Sequence, residues 1–136
     1  MSVELLKAVY ARLTSGSNDF ETAVGGRIYF TEAPARSALP LAVYAFDAPM
    51  VERTFGGIHR ETASFTVTIY SPVSSGVEAA SDIESDLFAL LDNQILTGLT
   101  GYDRGVVDCL DRGVPEADGE AYRVDSRYQI IAATTS

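Results

Sequence analysis

The clearest pattern in the chain is an alternation. In "ETASFTVTIYSP", Ala63, Phe65, Val67 and Ile69 are apolar, while Ser64, Thr66, Thr68 and Tyr70 between them are mostly polar. A period of two predicts a strand with one face in a core, ended at Pro72 by the loss of a ladder donor. The period then changes. In "SSGVEAASDIESDLFALLDNQIL", Val77, Ala80, Ile83, Leu87, Leu90, Leu91 and Ile95 fall on one stripe, and Glu78, Asp82, Glu84, Asp86 and Asp92 take the rest of the surface. That spacing predicts a helix of about twenty residues, its stripe on the sheet and its carboxylates in water.

The same reading orders the remaining chain. Leu5, Leu6, Val9, Tyr10 and Leu13 predict a short N-terminal helix with Lys7 facing water and Ser2 as its cap, closed by turn residues in "TSGSND". Ile28 to Phe30 suit a brief strand, and "LPLAVYAF" suits a longer one with Pro40 at its entrance. Between them lies the arm "TEAPARSA". Gly56 and Gly57 mark a hairpin tip, and "PEADG", Pro115 to Gly119, reads as the turn of a closing hairpin. On the last strand Tyr122, Val124, Tyr128 and Ile130 share one face, with Arg123, Asp125, Arg127 and Gln129 on the other. The order predicts a single α+β domain over residues 1–136. Its sheet is mixed and mainly antiparallel, of about four to five strands, with both helices on one face.

Composition narrows the function classes. With 46% hydrophobic and 21% charged residues the chain is an ordinary globule. Its longest apolar run, "ALPLAVYAF", falls far short of the roughly 20 residues that cross a bilayer, so no membrane association is expected. The start, "MSVELLKAVY", carries Glu4 and Lys7 without a small-residue cleavage pattern, and synthesis in the cytosol is the expectation. A formal charge of −9 repels phosphates, which argues against a clamp that grips DNA or RNA but not against a surface that DNA slides past.

No reacting constellation emerges. Neither "GGR" nor "FGGIHRE" continues into a phosphate loop, and the glycine pairs read as turns. The sole histidine, His59, sits beside Arg60 on a hairpin without a nucleophile to serve. Ser71, Ser74 and Ser75 lack the nucleophile-elbow pattern and read as turn and cap residues. Cys109, the one cysteine, reads as a packed small hydrophobe. No catalytic residue, cofactor site or metal site is assigned, and a role in binding other protein follows.

The segments "GGRIYFTEAPARSALPLAVYAF", "FTVTIYSPVSSGVEAASDIESDLFALLD" and "YRVDSRYQI" together resemble the tail-completion, or tail terminator, family of long-tailed bacteriophages. The resemblance covers nearly the whole chain, except for the Pro49–Glu61 hairpin and the "PEADG" turn. It implies a nonenzymatic virion protein that forms a homo-hexameric ring on the tail tube, ends tube polymerisation and joins the tail to the head connector. Its partners would be its own copies, the tube protein and a head-closure protein, with DNA passing unbound. It would be made in the bacterial cytoplasm and end in a tail or tail-like particle. The alternatives are a connector protein of the phage neck, or a small α+β enzyme or ligand-binding dimer. The assembly contacts are expected at the proline-bearing arm (Pro34, Arg36), the hairpin (Met50, Val51, Arg53, Phe55, Ile58, His59) and the last strand (Arg123, Arg127).

Overall fold

The computed structural model describes residues 3–15, 18–47, 50–53, 59–96 and 102–134. Its helices are α1 (Val3–Leu13), α2 (Asp19–Ala23) and α3 (Gly76–Leu91). Its strands are β1 (Ile28–Phe30), β2 (Leu41–Phe46), β3 (Met50–Arg53), β4 (His59–Pro72), β5 (Gln94–Leu96), β6 (Tyr102–Asp111), β7 (Glu116–Asp118) and β8 (Ala121–Thr134). The mixed α+β class and the long central strand agree with the sequence reading.

The sheet is larger than expected. Eight strands join it among the described residues, in the order β1-β2-β4-β8-β6-β5, with β3 also on β4 and β7 also on β8. Only β1 and β2 run parallel; every other pair is antiparallel. The spine is β4 against β8, each 14 residues long, paired from Arg60↔Ala133 to Pro72↔Ala121. Along the far side of β4, β2 and then β3 follow one another; along the far side of β8, β6 and β7 do the same. The additional strands are three or four residues long, too short to show an alternation, so pairing rather than pattern creates them.

The core lies on one face of this spine. Ala63, Phe65, Val67 and Ile69 of β4 and Val124, Tyr128 and Ile130 of β8 are buried against Ala80, Ile83, Leu87 and Leu91 of α3. Register explains the match, since Phe65 lies opposite Tyr128 and Ile69 opposite Val124. The Phe65 and Tyr128 rings stack at 5.8 Å, and Phe46 of β2 extends the stack from 5.1 Å on the other side of Phe65. From α1, Leu5, Val9 and Leu13 close the core, whereas Leu6 is half-buried and Tyr10 is exposed.

Several expectations are corrected. The helix α3 ends at Leu91, not near Leu96, because Asn93 takes a left-handed conformation (φ 56) and turns the chain into β5. Ile95 therefore leaves the stripe and stands exposed on a strand, and Val77 at the helix start is exposed as well. Glu84 is not solvated: it is buried, and its two oxygens accept from the Nε and Nη2 of Arg112 at 3.0 and 2.7 Å. The Arg112 guanidinium also lies 4.0 Å from the Phe88 ring. "TSGSND" contains the start of an unanticipated helix, α2, whose N-cap Asn18 accepts from the Glu21 amide at 2.7 Å and donates to the Leu13 carbonyl at 3.0 Å. With only Phe20 buried, five residues give no periodic signal.

In the closing hairpin, Glu116–Asp118 form β7, and the chain reverses at Gly119 (φ 65) and Glu120 instead of across "PEADG". Ser71 belongs to β4 and is buried, not part of a turn; Ser75 stands at the N-cap of α3 without a side-chain cap bond. Ser2 and the Gly56–Gly57 tip lie outside the described residues.

Candidate interaction surface

The face of the sheet away from the helices carries the polar ladder. Tyr70, Thr68 and Thr66 of β4 lie opposite Arg123, Asp125 and Arg127 of β8, and opposite Leu41, Val43 and Ala45 of β2. Alternation alone puts them there, because each follows a core residue. Thr68 donates to Asp125 at 2.6 Å, and Arg123 bridges the same carboxylate at 3.0 Å. Hydrogen bonding to Asp125 pushes the Arg123 guanidinium pKa up, with the charge of Asp125 adding to it. Arg127 lies 3.6 Å from Asp47 and 3.9 Å from Asp111. Arg123 and Arg127 are about half exposed, so these pairs set the pattern of charge while adding little stability.

The arm between β1 and β2 folds back on this face. Thr31 and Arg36 adopt left-handed backbone (φ 66 and φ 62), which a β-branched threonine rarely takes, and the Ser37 hydroxyl closes a turn onto the Pro34 carbonyl at 2.5 Å. Arg27 anchors the far end of the arm through the Pro40 carbonyl at 2.8 Å. Between arm and sheet is an open cleft of about 420 Å³ whose lining includes Pro34, Arg36, Leu39, Leu41, Val43 and Tyr70. The Arg123 guanidinium is 5.8 Å from the centre of the Tyr70 ring. Tyr70 thus belongs both to the cleft lined by Pro34 and Arg36 and to the contact with Arg123, and Arg127 lies four residues further along β8 on the same face.

The hairpin residues are placed in part. Met50 lies opposite Thr62 and Arg53 opposite His59, with Val51 between them on β3. Phe55 and Ile58 lie outside the described residues.

Sequence reasoning did not find a second surface, where α1 meets the edge of the sheet. Tyr10 of α1, Phe30 of β1 and Tyr44 of β2 form an aromatic group, with Tyr44 6.2 Å from Tyr10 and 5.2 Å from Phe30. With Leu6 and Lys7 they line an apolar cup of about 310 Å³. Burial pushes the Tyr44 phenol up, and Tyr10 adds to the shift. Tyr10 counted as part of the helix stripe; only the parallel pairing of β1 with β2 brings Phe30 beside it.

Among the described residues, no group of histidine, cysteine, aspartate and glutamate side chains could hold a metal ion, and no helix is long and apolar enough to cross a membrane. Cys109 is half-buried opposite Tyr128, and burial, with Asp92 and Glu84, pushes its thiol up, away from the reactive thiolate.

This helix-backed, mainly antiparallel sheet has counterparts of known structure. A chain from a solved structure described as "Virion of native gene transfer agent (GTA) particle" matches at a TM-score of 0.71 and 15% identity, covering 95% of this chain and 94% of that one. A second solved structure, whose name states no role, matches at a TM-score of 0.66 and 16% identity over 100% of this chain and 98% of its own. At such identities the likeness is one of fold. No protein-family model matches the chain, and no curated protein does.

Proposed function

We propose that this protein is a structural component of a phage-like particle. It acts as a tail terminator: six copies form a ring on the end of the tail tube, stop its growth and offer a surface to the head connector. The observation that carries this reading is the full-length fold likeness to a chain of a gene transfer agent virion. The tail-completion resemblance in the sequence supplies the finer role. The role needs no reaction, and the surfaces described above are of a kind that docks protein. Six copies each carrying −9 would present DNA with a repelling channel, suited to passage and not to grip.

In this reading the arm around Pro34 and Arg36, the β3–β4 hairpin, and Arg123 and Arg127 contact neighbouring subunits or the tube. A proline in the arm restricts the free chain and lowers the ordering cost of assembly. Deleting Met50 to His59 should leave a folded chain that no longer caps tubes. Electron microscopy of tubes assembled with that variant decides the matter: tubes of normal length that still join heads would refute the assignment of the hairpin. Binding of the intact chain to a purified head connector but never to tubes would place it in the neck instead.

A further inference from the structure

Leu41 of β2 lies on the face of the sheet away from the helices and takes no part in the core beneath them, yet only 4% of it is exposed. Val43 shares that face, and Tyr70 of β4 stands opposite Leu41. All three line the cleft whose other wall is the arm, through residues that include Ala33, Ser37 and Leu39. The arm therefore hides an apolar patch on an otherwise polar face.

The arm itself is weakly tied. Among the described residues, the backbone from 33 to 39 makes a single backbone hydrogen bond, from the Ser37 amide to the Pro34 carbonyl at 3.3 Å, and that bond lies within the arm. Its attachments are at the two ends, where the Thr31 amide donates to the Tyr44 carbonyl at 2.9 Å and Arg27 donates to the Pro40 carbonyl at 2.8 Å. The arm also carries the backbone strain. Thr31 and Arg36 are two of the three non-glycine residues with left-handed backbone among those described, and the third, Asn93, is of a type that tolerates it. Thr31 sits where the arm leaves β1, and Arg36 sits at its bend.

We propose that the arm is a flap: closed over Leu41, Val43 and Tyr70 in the free chain, it opens by hinging at Thr31 and Arg36 and bares this patch for assembly. Opposed effects hold the two states near balance. Hiding the patch favours the closed form. The two left-handed residues favour release, and a segment with few backbone ties opens before the sheet beneath it does. Hinges are a few loop residues that absorb a change in φ and ψ, and these two relieve strain when they do so. A closed flap keeps apolar surface from joining free copies at random; an open one adds that surface to the assembly contact.

The proposal deepens the terminator reading and rests on it only for what meets the patch, because opening is measured on the free chain. Thiol labelling of Leu41→Cys, resolved from Cys109 by mass spectrometry of the labelled peptides, reports each exposure of the patch. Val43→Cys, at a half-buried position on the same face, repeats the measurement if the first variant folds poorly. Labelling should proceed without denaturant and stay nearly flat in low urea, since lifting the arm bares little surface. Adding Thr31→Gly, which removes the steric cost of left-handed backbone, should slow labelling at least about threefold. Adding Arg36→Val, which raises that cost with a β-branched side chain, should speed it by a similar factor.

Labelling that climbs with urea along the whole unfolding transition overturns the proposal. So does a rate that neither substitution alters, or that both alter in the same direction. If the flap opens as described but the chain never caps tubes, the terminator reading falls and the flap stands. If tubes are capped while labelling follows global unfolding, the flap alone falls.

Discussion

The two faces of β4 and β8 are built from alternate residues of the same strands, yet they do opposite things. On the helix side, Phe65 meets Tyr128 and Ile69 meets Val124 with no exposure to solvent, beneath the Leu87 and Leu91 side chains of α3. One residue further along, Thr66 meets Arg127 and Thr68 meets Asp125; the two charged residues of β8 are exposed, Thr66 is half-buried, and Thr68 is buried beneath its bond to Asp125. The first face gains from the amount of apolar surface it hides; the second gains little from its ion pairs but displays a defined arrangement of charge beside the arm. Stability and recognition are thus separated by a single step in the chain, and substitutions on the two faces should differ in kind as well as size.

The largest effect should come from Leu87→Ala, which empties a wholly buried position and is expected to cost about 2 to 5 kcal/mol in chemical denaturation. A loss below about half a kcal/mol would mean that α3 does not hold the packed face together. Next is Gly113→Ala. A methyl group at this glycine would come within 2.3 Å of the Asp125 carbonyl oxygen, and the Gly113 amide donates to the buried Ser126 hydroxyl at 3.0 Å. Backbone would have to shift, at about 1 to 3 kcal/mol, read as a lowered unfolding midpoint. An unchanged midpoint would show that the segment after β6 is not pressed onto β8.

On the polar face, Arg123→Ala should change stability by less than about 1 kcal/mol while, under the proposed terminator role, weakening ring assembly or attachment to the tail tube. If stability falls by far more, the contrast between the two faces is wrong. The smallest effect belongs to Asp86, whose carboxyl is pushed above its ordinary value by burial and then by Asp19 and Asp82. The folded chain therefore holds that proton more tightly than the unfolded chain, and stability is lost as pH rises through the carboxylate range. Asp86→Asn should stabilise by up to about 0.5 kcal/mol at pH 7, and the gain should vanish below about pH 3.9. Denaturation midpoints at pH 7 and pH 3 check the sign, and an equal gain at both would exclude this origin.

Of the ten residues expected at the assembly surface, four lie on or beside the polar face: Arg123 and Arg127 of β8, and Pro34 and Arg36 of the arm. Arg123 and Arg127 were legible because the period of two puts every second residue of a strand on one side, whatever lies across from it. That Pro34 and Arg36 share a cleft with Tyr70 was not legible, since the fold-back of the arm rests on two left-handed residues with no glycine to announce them. The aromatic cup was missed for a related reason: Tyr10, Phe30 and Tyr44 are far apart in sequence, and the parallel pairing of β1 with β2 decides their meeting.

Within the core, the Tyr128 hydroxyl is wholly buried without a hydrogen-bond partner among the described residues, and burial pushes its phenol far up. The neighbouring Cys109 thiol is at best a weak acceptor. Nothing in the pattern of the last strand distinguishes this tyrosine from a phenylalanine.

What the sequence by itself determined is local and periodic. It gave the class, the extent of β4, the inward residues of β8, the central core positions of α3 (Ala80, Ile83, Leu87 and Leu91) and the absence of a recognisable catalytic motif, because side-chain geometry repeats every two or 3.6 residues regardless of what packs nearby. Only the tertiary structure decided where Ile95 leaves the helix, why Glu84 is buried against Arg112, how the short strands β5 and β7 join the sheet, and which distant aromatics share a cup. Each of these depends on a partner distant in the chain, and a periodic pattern contains no term for a partner.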